Sequence, residues 1–188
     1  MTTPPLRKDA ARNWQRIVDT GRRFVDEGVP VQLNEVARAA SVGVATVYRH
    51  FPTPEALLET IATPSLAALV AHAEHAAERD DPGDAFAGYL LALLDAQLDD
   101  ASMQPALAAG SYVLPRTAEL RARLDSLSGR LLDRAREAGQ VRPEVTRADL
   151  LPLMCGVIYA VRVHPGAEAR RAVTHRYLDV MLNGLRTP

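Results

Sequence analysis

The chain lacks the features that mark a secreted, membrane-spanning or β-rich protein. It has a single cysteine, Cys155, so it can form no internal disulfide. It has no run of ~18 uninterrupted apolar residues, which a transmembrane helix would need. The N-terminal MTTPPLRKDA lacks the apolar core of a secretory signal. Alternating runs of β-branched residues are scarce. We therefore expect a soluble, cytoplasmic protein without strands.

Net charge is also nearly absent, which by itself argues against a nucleic-acid-binding protein. Affinity for nucleic acid depends strongly on phosphate contacts, and the formal charge at pH 7 is only -1. The distribution of charge removes this objection. Residues 1–54 hold eight Lys or Arg against five acids, whereas the rest of the chain holds fourteen against eighteen. A basic first segment before an acidic remainder is typical of a protein that offers one end to DNA.

Long stretches rich in Ala, Leu, Arg and Glu predict an all-α fold of about nine helices. We expect a three-helix head over residues 1–54 and a helical body over residues 55–188. The first helix is predicted over residues 8–26, with its early arginines outward and Gly28 closing it. Six of its residues are predicted to face inward: Trp14, Ile17, Val18, Gly21, Phe24 and Val25.

The most informative segment is SVGVATVYRHF, which runs from Ser41 to Phe51. It follows the amphipathic stretch from Leu33 to Ala40 at the spacing of a helix-turn-helix. Gln32 occupies the cap position before that stretch, where its side chain is a poor cap. The predicted buried stripe on the two helices consists of Leu33, Val36, Ala37, Ala40, Val47 and Phe51. The other residues of the second helix then face outward and would enter a major groove: Val44, Ala45, Thr46, Tyr48, Arg49 and His50.

Each outward residue has two interpretations. Arg49 can bond guanine O6 and N7, or it can clamp a phosphate. Val44 and Ala45 can meet thymine methyl groups, or they can only keep the helix close to the groove. The polar groups of Thr46, Tyr48 and His50 can bond phosphates, or they can be exposed to solvent. Lys8, Gln32 and Thr53 complete the set of residues that we expect at the DNA.

Thr53-Pro54-Glu55 predicts a new helix, because Thr53 can cap it, Pro54 suits its first position and Glu55 complements its dipole. Pro64 is predicted either to kink that helix or to split it in two, and Thr63, which can cap a new helix, favours the split. This break is the expected junction through which motion passes between head and body. Further helices are predicted over residues 66–79, 84–98, 104–112, 116–138, 147–163 and 167–185.

These motifs resemble the TetR family of bacterial transcriptional regulators. The residues that carry the resemblance are RKDAARN in the first helix, NEVARAA, and SVGVATVYRHFPTPEALL ending at Leu58. The resemblance implies an Ω-shaped all-α dimer that places a recognition helix in each half of a palindromic operator. It also implies that a small molecule bound in the body spreads the heads and releases the DNA.

The chain departs from this family in two places. Ser41 stands where the turn usually has Gly, and Gly43 where a capping Ser is common, so the turn glycine is predicted to be displaced by two positions. Pro54 stands where a phosphate-binding Lys is common, a loss that Lys8 or Arg7 would offset.

The last two predicted helices carry more apolar surface than one small body can bury, so we predict a homodimer through them. The effector pocket should combine apolar bulk with a few polar groups. Candidates that fit this description are Phe86, Tyr89, Met103, Tyr112, Met154 and Tyr159. An apolar or aromatic effector is expected, and its identity does not follow from the sequence.

Two other functions stay open. His72 and His75 are close enough on a helix to share a metal, so the alternative function is an all-α metal-dependent enzyme or helical bundle. The second alternative function is that of a DNA-bound regulator that has lost its ligand response. We predict no catalytic residue, no cofactor and no metal. Asp95, Asp99 and Asp100 are predicted to form a solvated helix face, and Cys155 a small buried hydrophobe.

Overall fold

The computed structural model describes residues 5–165 and 169–186, with side chains from residue 9 onward, and these residues form nine α-helices and no strand. The all-α prediction is therefore confirmed. The helices are α1 (Pro5–Asp26), α2 (Leu33–Ala39), α3 (Val44–His50), α4 (Pro54–Ala77), α5 (Pro82–Asp99), α6 (Met103–Ala108), α7 (Pro115–Glu137), α8 (Arg147–Arg162) and α9 (Arg170–Leu185).

The helices group into two compact units. The first unit comprises the chain up to Leu66 together with Asp100–Glu119. The second unit comprises Ala67–Asp99 and the chain from Leu120 onward. The functional division that we predict, a head over residues 1–54 and a body over residues 55–188, stays a prediction.

In the first unit, α1, α2 and α3 pack around one apolar core. The stripe predicted on α2 and α3 is confirmed, because all six of its residues are buried. Ile17 of α1, with Leu57 and Ile61 of α4, completes this core. The prediction for Trp14 is wrong, because its side chain is 38% exposed. Trp14 only leans on the core, with its ring centroid 6.4 Å from that of Phe51.

At two positions of the first unit the structure explains why the residue is a glycine. A Cβ on Gly21 would lie 2.9 Å from Cδ1 of Ile61 and 3.1 Å from Cδ2 of Leu57, so a larger residue would force these buried side chains of α4 to shift. Gly28 has a φ of 69° and ends α1 as predicted. The N–H of Gly28 donates to the carbonyl of Val25, and the N–H of Val29 donates to that of Phe24. These two bonds form the Schellman motif that closes many helices.

The predicted split at Pro64 is wrong, because α4 is one continuous helix. The hydroxyl of Thr63 donates to the carbonyl of Glu59 at 2.7 Å, one turn earlier, instead of capping a new helix. Pro64 lies on the exposed side, whereas Ile61 and Leu66 are buried. Burial of such side chains offsets the cost of about 3 kcal/mol that an internal proline imposes on a helix.

By length and composition alone, α4 could cross a lipid bilayer. Half of its apolar window is buried in the protein. A core helix of a globular protein has the same properties, so α4 is not evidence for a membrane.

In the second unit, α5 packs against α8 and α9, which also pack against each other. The largest side chains buried there are Leu69, Phe86, Leu90, Leu94, Leu124, Leu131 and Leu132. Thr146 and Asp149 form a capping box at the start of α8. Hydrogen bonds from the hydroxyl and the backbone N–H of Thr146 lower the pKa of Asp149.

Most predicted helix ends are close to those observed, with one clear difference. The helix predicted over residues 104–112 is α6, which already ends at Ala108. The Tyr112 hydroxyl instead lies 3.2 Å from the carbonyl oxygens of Ala106 and Ala109 and donates towards this helix end. The predicted start of the last helix, Ala167, lies outside the described residues.

Candidate nucleic-acid interface

The exposed face of α3 is held outward by two buried anchors. Val47 is 0% exposed, and Phe51, which follows the helix as its C-cap, is also buried. Val44 and Tyr48 are 48% and 45% exposed. Ala45 and Arg49 are exposed as well. The outward orientation predicted for these side chains is confirmed, whereas their contact with DNA stays a prediction.

The polar side chains of α3 are not equally accessible. Thr46 and His50 are half-buried, and the His50 ring centroid lies 6.3 Å from that of Phe51. Nη2 of Arg49 donates to the Thr46 hydroxyl at 2.9 Å. A guanidinium has five N–H donors, so this bond leaves it able to contact a base or a phosphate. The bond also orients Arg49 along α3.

Three further residues were predicted at the DNA. Gln32 is the exposed N-cap residue of α2 and makes no side-chain cap bond, which confirms that it is a poor cap. The N–H of Ala56 donates to the Thr53 hydroxyl at 3.2 Å, so the predicted capping by Thr53 is also confirmed. The side chain of Lys8 lies outside the described part of the structure.

The turn between α2 and α3 is built on Ser41 rather than on a glycine. Ser41 has a φ of 50°, in the left-handed region that disfavours side chains, whereas Gly43 has an ordinary φ of -59°. The turn glycine is therefore missing and not displaced, contrary to the prediction. The N–H of Ser41 donates to the carbonyl of Arg38, and the N–H of Val42 donates to that of Ala37.

A buried polar cluster around Asp100 was not foreseen. Asp100 is only 7% exposed, so its predicted place on a solvated face is wrong. Its carboxylate accepts hydrogen bonds from the Ser65 hydroxyl at 2.5 Å and from the Ser102 backbone N–H at 2.9 Å. Nη1 of Arg22 lies 3.1 Å from it. The only sequence signal was Asp100-Ala101-Ser102, a spacing at which an aspartate can bond the backbone two residues later.

Opposing effects set the pKa of Asp100. Burial raises it, but hydrogen bonds from Ser102 and Ser65, together with Arg22, favour the ionised form and hold the pKa below its ordinary value. The carboxylate therefore links α1, α4 and the segment after α5 within the first unit.

A second buried carboxylate, Glu59 on α4, caps the start of α7. Its two oxygens accept hydrogen bonds from the backbone N–H groups of Val113 at 2.7 Å and Leu114 at 2.8 Å. A negative charge next to a helix N-terminus is favourable. Local periodicity gave no signal for this contact, because its partners are more than 50 residues apart.

The six predicted effector residues are divided between the two units. Met103 and Tyr112 belong to the first unit, and the other four belong to the second. Phe86, Tyr89 and Met154 are buried in the core of the second unit. Burial raises the pKa of Tyr89 to about 12, although Ser128 hydrogen-bonds its hydroxyl. Tyr159 lies on the surface instead, 68% exposed.

The second unit also has an open cleft of about 380 Å³. Asp81, Asp84, Gln140 and Arg186 contribute polar groups to it, and Leu182 and Leu185 contribute apolar surface. None of the six predicted effector residues is among its described lining residues.

The metal-site alternative has little structural support. His72 and His75 are both exposed, and a carboxylate oxygen of Glu78 lies 3.9 Å from Nδ1 of His75. Within residues 5–165 and 169–186, no group of three or more His, Cys, Asp or Glu side chains could hold a metal ion.

Comparisons with known proteins point in one direction. The family model for bacterial regulatory proteins of the tetR family matches residues 17–61. The model for the C-terminal domain of SbtR-like transcriptional regulators matches residues 81–187. An HTH-type transcriptional regulator of Staphylococcus aureus is 42% identical over 48 residues, which are 24% of this chain and 26% of that protein. The chain thus matches about a quarter of the length of these curated relatives.

Two solved structures extend the similarity over nearly the whole chain. A TetR transcription regulatory protein from Mycobacterium vanbaalenii is 31% identical, covers 97% of this chain and 100% of its own, and has a TM-score of 0.50. FadR from Bacillus subtilis, solved with stearoyl-CoA, is 14% identical, covers 92% and 100%, and has a TM-score of 0.65. The latter shows the fold alone.

Two short helices that bury a common apolar stripe and expose the outer face of the second helix are typical of a helix-turn-helix DNA-binding protein. Together with the comparisons, this makes the molecule a transcription regulator and not an enzyme. The chain belongs to the TetR family of bacterial transcriptional regulators.

Proposed function

We propose that this regulator is a ligand-responsive repressor that binds a palindromic operator as a homodimer in the cytoplasm and is released by a small apolar effector. The observation that carries the proposal is that one face of α3 is exposed while Val47, on its opposite face, is fully buried. Residues 1–54 bind the DNA. Residues 55–188 bind the effector and the second subunit.

In this proposal α3 lies in the major groove. Arg49 contacts guanine, and Val44 and Ala45 approach thymine methyl groups at the leading end of the helix. The support is their exposure on one short helix whose opposite side is fixed by packing. Contacts to phosphates fix the register without reading sequence. We assign them to Thr46, Tyr48, His50, Lys8, Gln32 and Thr53.

The second subunit binds α8 and α9. Exposed positions recur at helical spacing on α8, at Gly156 and Tyr159, and continue at its C-cap residue Val163. On α9, Val180 is 68% exposed and Gly184 follows one turn later. Large apolar side chains exposed on two adjacent helices are typical of a subunit interface. A two-fold dimer would require a palindromic operator, because each subunit then reads one half-site.

The effector is proposed to bind among the apolar side chains of the second unit. Phe86, Tyr89 and Met154 provide apolar bulk and one hydroxyl there. FadR, which has a related fold, was solved with stearoyl-CoA, a molecule that includes a long apolar acyl chain. The effector would favour a separation of the two recognition helices that does not match half-sites ~34 Å apart.

The proposal is tested by selecting DNA from a random duplex library with the purified full-length chain. We expect recovered fragments with two inverted half-sites whose centres lie ~34 Å apart or at a multiple of that distance. Light scattering of the complex should show an even number of subunits. Recovery of no enriched sequence at low salt, or of single half-sites bound by a monomer, would contradict the proposal.

A further inference from the structure

The turn that directs α3 contains a strained residue, and its local supports are the backbone hydrogen bonds donated by Ser41 and Val42. Ser41 adopts a φ of 50°, where its side chain crowds the backbone. The N-cap residue of α3 is Gly43, which makes no side-chain cap bond. α3 has only seven residues. The direction of α3 therefore also depends on contacts that other helices make with this turn.

One such contact comes from α1. Nη2 of Arg16 donates to the carbonyl of Ser41 at 3.0 Å and also to the carbonyl of Ala40. These carbonyls are 24 and 25 residues away along the chain. They lie at the end of α2, where helix carbonyls lack partners within the helix and a positive charge is favourable. Arg16 thus neutralises the end of α2 and ties it to α1.

We infer that Arg16 is a positioning residue for DNA recognition: it holds the strained Ser41 turn so that α3 is presented to the groove in one direction. The inference rests on the proposed function, because it assumes that α3 reads DNA. It differs from the usual role of a basic residue on such a surface, which is to contact a phosphate directly.

The two roles predict different responses to substitution. A phosphate contact depends mainly on charge, so Arg16→Lys would keep it. Arg16→Gln would lose the contact, and binding would then release one counterion fewer from the DNA. A positioning role depends on the planar guanidinium reaching two carbonyls, so Arg16→Lys would impair it although the charge is kept, and Arg16→Gln would impair it at least as much. A positioning role also predicts that relieving the strain at Ser41 compensates for the loss.

The experiment measures affinity for a duplex recovered by the selection described above, over a series of salt concentrations. We expect Arg16→Lys and Arg16→Gln to weaken binding roughly tenfold, which corresponds to about 1.4 kcal/mol. The slope of log affinity against log salt should stay that of the unaltered protein. Adding Ser41→Gly to Arg16→Gln should restore most of the affinity, because glycine adopts this φ without strain.

The matched control is Arg12→Gln. Arg12 lies one turn before Arg16 on α1 and forms an exposed ion pair with Asp9 at 2.7 Å. It should change affinity less than twofold apart from general charge effects. Circular dichroism at the binding temperature establishes that each variant is folded, so lost stability cannot imitate lost affinity. If Arg16→Gln does not fold, Arg16→Lys carries the test.

Three results would overturn the inference. Normal affinity of Arg16→Lys, with a salt slope reduced by ~0.9 for Arg16→Gln, would make Arg16 a phosphate contact. Unchanged affinity of both variants would show that the contact has no role in recognition. Failure of Ser41→Gly to restore the affinity of Arg16→Gln would show that the loss does not act through the strained turn. Failure of the unaltered protein to bind any DNA would instead refute the proposed function.

Discussion

Asp100→Ala is expected to lower the free energy of unfolding by about 3 kcal/mol. Asp100 is buried, and Arg22, Ser65 and Ser102 all direct donors at its carboxylate. Removing the acceptor leaves a guanidinium and several donors without their partner, which costs more than the hydrogen bonds alone contribute. Arg22 remains partly exposed and can regain water, so the loss should fall at the low end for buried ion pairs. Urea denaturation followed by circular dichroism measures the change.

The neighbouring aspartate is a matched control. Asp99 forms an exposed ion pair with Arg170, so Asp99→Ala should change the free energy of unfolding by less than about 1 kcal/mol. Equal effects of the two substitutions would show that the buried cluster does not stabilise the fold as described.

The same cluster predicts a dependence on pH. The pKa of Asp100 is lower in the folded protein than its ordinary value of 3.8. Its contribution to stability is therefore complete above that value and is lost as the pH falls through the folded pKa. The difference in stability between Asp100→Ala and the unaltered protein should stay constant near neutral pH and shrink only in acid.

Val180→Glu is expected to dissociate the proposed dimer and, with it, DNA binding. Val180 is the most exposed large apolar side chain described on α9. A glutamate there would have to lose its hydration in the interface, so the dissociation constant of the dimer should rise ~100-fold, or about 3 kcal/mol. Light scattering should show monomers at micromolar concentration. Operator affinity should fall in parallel, because a monomer reads only one half-site.

His175→Glu is the control for this substitution. His175 is exposed on another face of the same helix and receives the same new side chain. It should leave both the dimer and DNA binding intact. A Val180→Glu protein that stays dimeric, or a His175→Glu protein that dissociates as readily, would place the subunit interface elsewhere.

Sequence reasoning succeeded where the physical cause is local. The stripe from Leu33 to Phe51 is buried as predicted, because helical spacing alone determines which side of a short helix faces the core. The outward face of α3 followed from the same periodicity. The cap at Thr53 and the end of α1 at Gly28 followed from local turn chemistry.

The failures involve contacts between distant parts of the chain. No local pattern indicated that Arg16 reaches Ala40, or that Arg22 reaches Asp100. Pro64 was predicted to break a helix, but α4 is continuous, because buried side chains before and after the proline hold it in the core. Tyr159 was predicted in a pocket because its residue type suits one, yet its helix turns it to the surface. Composition indicates which residues can line a site, but tertiary packing decides which do.

The central claim is that the exposed face of α3 reads DNA, and the affinity of Arg49→Ala for a selected operator tests it most directly. The account predicts a loss of ten- to a hundredfold, about 1–3 kcal/mol for a base contact, with unchanged thermal stability. Arg130→Ala, which removes an exposed arginine from α7, should bind as the unaltered protein does. Equal affinity of Arg49→Ala, Arg130→Ala and the unaltered protein would contradict the claim.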